Sequence, residues 1–237
     1  MTKSYSDTYH AAALEAIGKK DLTNAFALFL KGAEEGDPDC MFWIGSFYSK
    51  GLVVKKDDRE ALKWFRKAAK KGHVGAMNEA GLLYAYGKGV QNSPELAYKW
   101  ISEAALKGNP GAVFNLATFL EAGVGCKVDY AKAMGLYTLA RNADSMAAAY
   151  ALARMYRNGL GCEADPVKGF EFCKEAADKG HREACFDLAI FYRDGEGCEK
   201  DLKTAYEYAD KAAKMNLPVA YQLRKDIELL MEAEKAE

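Results

Sequence analysis

The chain is poor in the residues that mark most specialised sites. It has only 3 histidines among 237 residues, and its formal charge is −1. Near neutrality offers no basic stripe of the kind nucleic-acid binding needs. No apolar run approaches the roughly 20 residues that span a bilayer, so no membrane association is expected. The opening Met1-Thr-Lys-Ser-Tyr-Ser-Asp7 lacks the apolar stretch of an export signal. If that methionine is the native start, the chain is expected in the cytoplasm with its 6 cysteines reduced. Cys-x-x-Cys and His-x-x-x-His are both missing, which leaves His181 and Cys185, with Cys173 one helix before, short of four metal ligands. No metal or other cofactor is expected. Ser-x-x-Lys and Gly-x-Ser-x-Gly are missing too. Gly81 to Lys88 has five residues between its glycines and no Ser or Thr after the lysine, so it is no phosphate loop. With no nucleophile–base pair in sight, catalysis is not expected. β-type alternation and Gly/Ser/Pro linkers are also lacking.

What the sequence has instead is a repeat. Gly51, Gly87, Gly123, Gly159 and Gly195 stand 36 residues apart, as do Asp57, Ser93, Asp129, Asp165 and Asp201. So do Ala68, Ala104, Ala140, Ala176 and Ala212. Gly36, Gly72, Gly108 and Gly180 keep the same period, with Asp144 and Asn216 filling the vacant slots. Within a unit, Ala76, Ala80, Gly81 and Tyr84, then Ala97, Trp100, Ile101, Ala104 and Ala105, make two helical stripes. These are termed helix A and helix B. Their small residues allow close approach, and Tyr84 and Trp100 fill the gaps.

The punctuation agrees. A left-handed glycine such as Gly87 ends helix A. Ser93 or Asp165 caps helix B, and Asp57 with Glu60 forms a capping box. All 5 prolines fall on first-turn positions: Pro38, Pro110 and Pro218 open A helices, Pro94 and Pro166 open B helices. His73 and His181, each following the terminal glycine of a unit, sit where an A helix begins. Five units are expected, 37–72, 73–108, 109–144, 145–180 and 181–216. A degraded repeat or cap covers 1–36, where Asp21, Ala25, Phe29, Ala33 and Gly36 match helix B columns. A capping helix covers 217–237, since solenoid ends need a polar face; its charged tail from Asp226 onward could alternatively dock on a partner.

The unit Ala76 to Val90 followed by Ala97 to Gly108 resembles the Sel-one-like repeat, a branch of the tetratricopeptide-like superfamily, and the resemblance runs from about residue 21 to 225. It implies an all-α, right-handed α-solenoid with A helices lining the concave face, and a role as adaptor or scaffold. There are departures: Val53 replaces the second glycine of the Gly-x-Gly turn, Asp144 and Ser145 replace the terminal glycine step, Arg141 replaces an alanine, and Gly169 stands in an alanine column. A cysteine-rich, secreted subgroup of the family is linked to β-lactam binding and hydrolysis and pairs cysteines between consecutive helices. Only Cys173 and Cys185 come near that pattern here, and an enzyme or ligand-binding protein of that kind is the alternative reading.

In the tetratricopeptide-like register, concave positions follow the columns of Phe42, Ser46, Ser49 and Lys50. Carried forward they give Asn78, Leu82, Ala85 and Tyr86, then Phe114, Thr118, Glu121 and Ala122, then Tyr150, Arg154, Arg157 and Asn158, then Phe186, Ile190, Arg193 and Asp194. Candidate partner-binding residues are Phe42, Lys50, Asn78, Tyr86, Phe114, Thr118, Tyr150, Arg154, Arg157, Phe186 and Arg193. Aromatics beside arginines suit a groove for a protein or peptide. Alternatively, the aromatic column packs on the neighbouring A helix, and Glu121, Glu183 and Asp194 neutralise the arginines. Cys126, Cys162 and Cys198 occupy the valine slot of Val54 and Val90. Equivalent points roughly 8–10 Å apart exceed the about 7 Å that a disulfide needs, so this ladder reads as small buried hydrophobes. A monomeric, non-catalytic scaffold is the expectation.

Overall fold

A computed structural model describes residues 5–236; residues 1–4 and 237, at the ends of the two capping segments, lie outside the described residues. Thirteen α-helices and no strand occur among the described residues. The A-type helices are α1 (Tyr5–Gly18), α3 (Pro38–Lys50), α5 (Val74–Tyr86), α7 (Pro110–Ala122), α9 (Met146–Asn158), α11 (Arg182–Asp194) and α13 (Pro218–Ala236). The B-type helices are α2 (Leu22–Glu34), α4 (Asp58–Lys70), α6 (Pro94–Leu106), α8 (Tyr130–Asn142), α10 (Pro166–Asp178) and α12 (Leu202–Lys214). All five prolines take first-turn positions, and Asp57, Ser93, Asp129, Asp165 and Asp201 each cap a B helix by accepting backbone N–H bonds.

The capping box at Asp57 is only half present. The Glu60 amide donates to Asp57 Oδ1 at 3.1 Å, but the Asp57 amide donates to the Tyr48 carbonyl at 3.0 Å. That carbonyl belongs to the last turn of α3 and needs a donor, so the Glu60 carboxylate turns to Lys63 instead.

The left-handed positions hold even where glycine is lacking. Asp144 and Asn216 adopt φ 67° and 59°, and Val53 adopts φ 65°. Asp and Asn tolerate that region; a β-branched residue does not. Val53 therefore carries the local strain of a β-branched residue in this region, and its side chain is 49 % exposed.

The chain divides into two compact units, residues 1–128 and 129–237. In the first, Phe29, Ile44, Phe47, Phe65 and Ile101 are fully buried. In the second, Leu188, Phe191 and Ile227 play that part, alongside the buried thiols of Cys173 and Cys185. In the first two full repeats a glycine on helix A makes room for a large side chain of helix B. Gly45 and Gly81 face Phe65 and Ile101, whose side chains would lie 2.7 Å from an added Cβ. Where the facing residue shrinks, to Cys173 or Ala209, the glycine becomes Ala153 or Ala189. The offset is not general: at these two positions the middle repeat has Ala117 and the fully buried Tyr137, so each repeat fills its own core with a different set of side chains.

Candidate functional site

Five of the A helices, α3, α5, α7, α9 and α11, begin with a side chain that caps them. In order these are Asp37, His73, Asn109, Ser145 and His181, each accepting from the amide three residues on. The two histidines accept through Nδ1, from Ala76 at 2.9 Å and Ala184 at 3.2 Å. A ring nitrogen can do this only when it is unprotonated. Burial, the largest cause, lowers both imidazoles below their ordinary pKa, against the pull of Asp39 on His73 and Glu183 on His181.

The sign follows from that direction. A depressed folded pKa means stability that is present above the unfolded value near 6.5 and is lost as pH falls through the folded one. Acidification to pH 5 should cost the wild type about 1 kcal/mol per histidine cap more than a His73→Asn/His181→Asn variant, whose caps do not titrate. Urea midpoints of both proteins at pH 7.5 and pH 5 check this; parallel pH profiles would contradict it.

The aromatic column stands five residues after these caps. The Phe42 ring stacks on His73 with centroids 4.4 Å apart, and Tyr150 stacks on His181 at 4.5 Å. Each pair joins one repeat to the next. The Tyr150 hydroxyl donates to Asp187 Oδ2 at 2.8 Å, and Asn115 Nδ2 donates to Asn78 Oδ1 at 2.9 Å. Both are bonds across 37 residues, a single geometric relation used twice with different side chains. Asn78 is 8 % exposed and is removed from the reachable surface. Phe42, Phe114 and Phe186 are half-buried. This column therefore serves packing between repeats along much of its surface.

Beyond it the A helices open to solvent. Lys50, Tyr86, Ala122, Asn158 and Asp194, the residues just before the left-handed glycine, are exposed in all five repeats. Tyr86 is the most open large apolar residue among these, at 69 %, with Lys88 Nζ 5.3 Å from its ring centre. Thr118 is half-buried, and its hydroxyl donates to the Asn115 carbonyl at 2.7 Å. Arg193 lies against its neighbour Asp194 through two hydrogen bonds of 2.7 Å.

In the second unit the structure brings Tyr150, Arg154 and Arg157 together. They wall a hollow of about 220 Å³ with Asn158, Asp187 and Phe191. Arg154 stands exposed at its rim. The Arg157 guanidinium lies over the Phe191 ring at 4.7 Å, and its Nε donates to Glu196 at 2.9 Å. That bond is the main reason its pKa is raised. Burial pushes the Asp187 carboxyl above the usual range, opposed by the Tyr150 bond and the two arginines. Asp187 and Glu196 are the members sequence reasoning missed. The local sequence marks neither; their partners lie one repeat away, at offsets of 37 and 39 residues.

All six cysteines are free thiols. Cys173 and Cys185, the pair nearest to the cross-linked pattern, each donate to a backbone carbonyl, of Ala184 at 3.3 Å and Ala177 at 3.8 Å. Cys126, Cys162 and Cys198 are half-buried rather than buried, as are Val54 and Val90 in the same slot, and the thiols of Cys126 and Cys198 donate to the carbonyls of Phe119 and Phe191, each at 3.5 Å. Among the described residues no group of three or more His, Cys, Asp or Glu side chains could hold a metal ion. No helix among them is long and apolar enough to cross a membrane.

Comparison with known proteins places this architecture. No curated protein matches the chain. Among solved structures it is similar to a Sel1 repeat protein from Oxalobacter formigenes, at 26 % identity over 92 % of this chain and 87 % of that one, with a TM-score of 0.86. It is also similar to c5321, a protective antigen of uropathogenic Escherichia coli with an SLR fold, at 21 % identity, covering 95 % of this chain and 57 % of that one, TM-score 0.68. A third is immunity protein Pa5087 of Pseudomonas aeruginosa, at 19 % identity over 96 % and 83 % of the two chains, TM-score 0.52. The Sel1 repeat profile matches residues 14–37, 38–73, 74–109, 110–145, 147–181 and 182–217, so the segment ahead of residue 37 also contributes to a recognised repeat. With six matched stretches covering most of its length and a helical-pair solenoid fold, the chain belongs to the Sel1 repeat family.

Proposed function

We propose that this protein is a cytoplasmic, monomeric, non-catalytic scaffold that binds a protein or peptide on the exposed face of its A helices. The observation that carries this reading is the column Lys50, Tyr86, Ala122, Asn158 and Asp194. It is exposed in every repeat, while the rest of each repeat is nearly uniform in its structural positions. Five different side chains at one repeated, solvent-facing place are what a solenoid uses to set specificity. Tyr86 and Arg154 are of the residue types that dominate binding energies. Scaffolding is also the general role of Sel1 repeat proteins, which supports the reading as analogy.

The structure changes which variant tests it. Replacing Tyr150, which stacks on His181 and bonds Asp187, would disturb packing between repeats together with any surface role. A Lys50→Glu/Tyr86→Ala/Arg154→Glu variant alters only exposed side chains. Partners captured by wild-type protein from its native host are expected to be lost by this variant, with helical circular dichroism unchanged. Retention of every partner would sink the reading.

A further inference from the structure

Helix α4 concentrates charge of one sign. Lys63, Arg66, Lys67 and Lys70 stand at i, i+3, i+4 and i+7, Lys71 follows, and no acidic residue falls between Lys63 and Lys71. All five are exposed. The four helical cations wall a hollow of about 220 Å³. Lys63 reaches back to Glu60 at 3.1 Å and Lys67 lies 4.0 Å over the Trp64 ring. Arg66 and Lys70 form no ion pair among the described residues.

The fold does not ask for this pattern. At the same five positions α6 carries Lys99, Ser102, Glu103, Leu106 and Lys107. In α10 they are Glu171, Lys174, Glu175, Asp178 and Lys179. Those helices mix signs and keep the same length and caps. In α4, by contrast, Lys63–Lys67, Arg66–Lys70 and Lys67–Lys71 are like-charge pairs at i, i+4, which weaken a helix. The helix dipole favours cations only in the last turn, which leaves Lys63 and Arg66 without that support.

We propose that the outer face of α4 binds an acidic protein segment, independently of the A-helix columns. The cations span two turns, about 10 Å, which matches carboxylates at i, i+3 or i+4, and i+7 of a partner helix. Two other polyanions fit less well. A membrane surface calls for apolar side chains to insert beside the cations, and no large exposed apolar residue lies on α4. A nucleic acid would run on past the two turns. The corresponding positions one repeat back hold Lys31 with Glu34 and Glu35, and those one repeat on hold Glu103 between Lys99 and Lys107, so the unbroken run of cations is confined to α4 and matches a short acidic stretch.

The test uses full-length protein and a fluorescently labelled peptide of about ten glutamates, read by anisotropy. A neutral Gly/Ser peptide, single-stranded DNA of equal length and phosphatidylserine vesicles serve as the other probes. The glutamate peptide should bind wild type in preference to all three. Affinity should fall with salt and fall at least about ten-fold in Lys63→Gln/Arg66→Gln/Lys67→Gln/Lys70→Gln. A Lys168→Gln/Lys174→Gln/Lys200→Gln/Lys203→Gln control, with the same change in net charge, should bind as wild type does. Circular dichroism establishes that both variants are folded, and a Lys70→Gln single variant should show an intermediate loss. Equal loss in the control, absence of peptide binding, or tighter binding of DNA or vesicles would overturn the proposal. So would salt-sensitive self-association that the α4 variant removes, because the occupant would then be a second copy.

Discussion

Gly125→Ala or Gly197→Ala is expected to destabilise the protein by about 3–5 kcal/mol, whereas the same change at Gly108 or Gly180 should cost only about 1 kcal/mol. All four glycines have positive φ, between 67° and 88°, so the backbone strain of adding a Cβ is shared. The surroundings differ. A Cβ on Gly125 would lie 2.0 Å from the Pro94 carbonyl oxygen, and one on Gly197 would lie 2.2 Å from that of Pro166. Each contact sets the new Cβ against main-chain atoms. The second glycine of the turn is thus the point where one repeat's loop sits on the first turn of the preceding B helix. No rotamer change relieves such a clash, so one repeat must move off another. Around Gly108 and Gly180 nothing lies within 4 Å of the added atom. Urea denaturation of the four variants measures the contrast directly; equal losses would show that conformation alone, not the contact, selects glycine.

Gly32→Ala is expected to cost about 2–3 kcal/mol, and a second change, Cys40→Ala, should recover most of it. A Cβ on Gly32 would meet Cys40 Sγ at 2.5 Å and the Tyr9 Cβ at 3.3 Å. The thiol is fully buried, and burial with the neighbouring Asp37 pushes its pKa to about 12. It therefore acts as volume and not as a reactive group. In every later repeat both columns read alanine, as at Ala68 with Ala76 and Ala104 with Ala112. The N-terminal repeat has moved one side chain's bulk across the interface while keeping the total. Cys40→Ala alone leaves a small cavity and should cost about 1–2 kcal/mol. A double-mutant cycle from thermal or urea unfolding checks the coupling, and simple additivity would remove this explanation.

How much was legible in the sequence depends on the range of the interaction. Turns, caps and prolines are local, and a 36-residue period repeats each signal often enough to be read even when degraded. Asp144 and Asn216 were recognisable as left-handed positions because their glycine neighbours in the column defined the slot. The complementary sizes at Gly32 and Cys40 were also open to reading, had the two columns been compared side by side. Partners across repeats were not. Tyr150 with Asp187, Arg157 with Glu196 and Asn78 with Asn115 depend on how far one repeat is rotated against the next, and no residue spacing encodes that rotation. Asn78 was consequently expected on a binding surface when it is buried, and Asp187 was not singled out at all. The half-exposed cysteine ladder was not legible because an apolar residue type does not by itself mean burial: Val54 and Val90 in the same slot are half-buried too.

The measurement that tests the binding face most directly is photo-crosslinking with a reactive amino acid placed at Tyr86, on the A-helix column, or at Leu139, an exposed B-helix position at 55 %. Protein carrying the probe at position 86, irradiated in its native host, is predicted to form a discrete adduct with a partner, and protein carrying it at 139 is not. Adducts from position 139 without any from 86 would contradict the assignment and move the binding surface to the B helices.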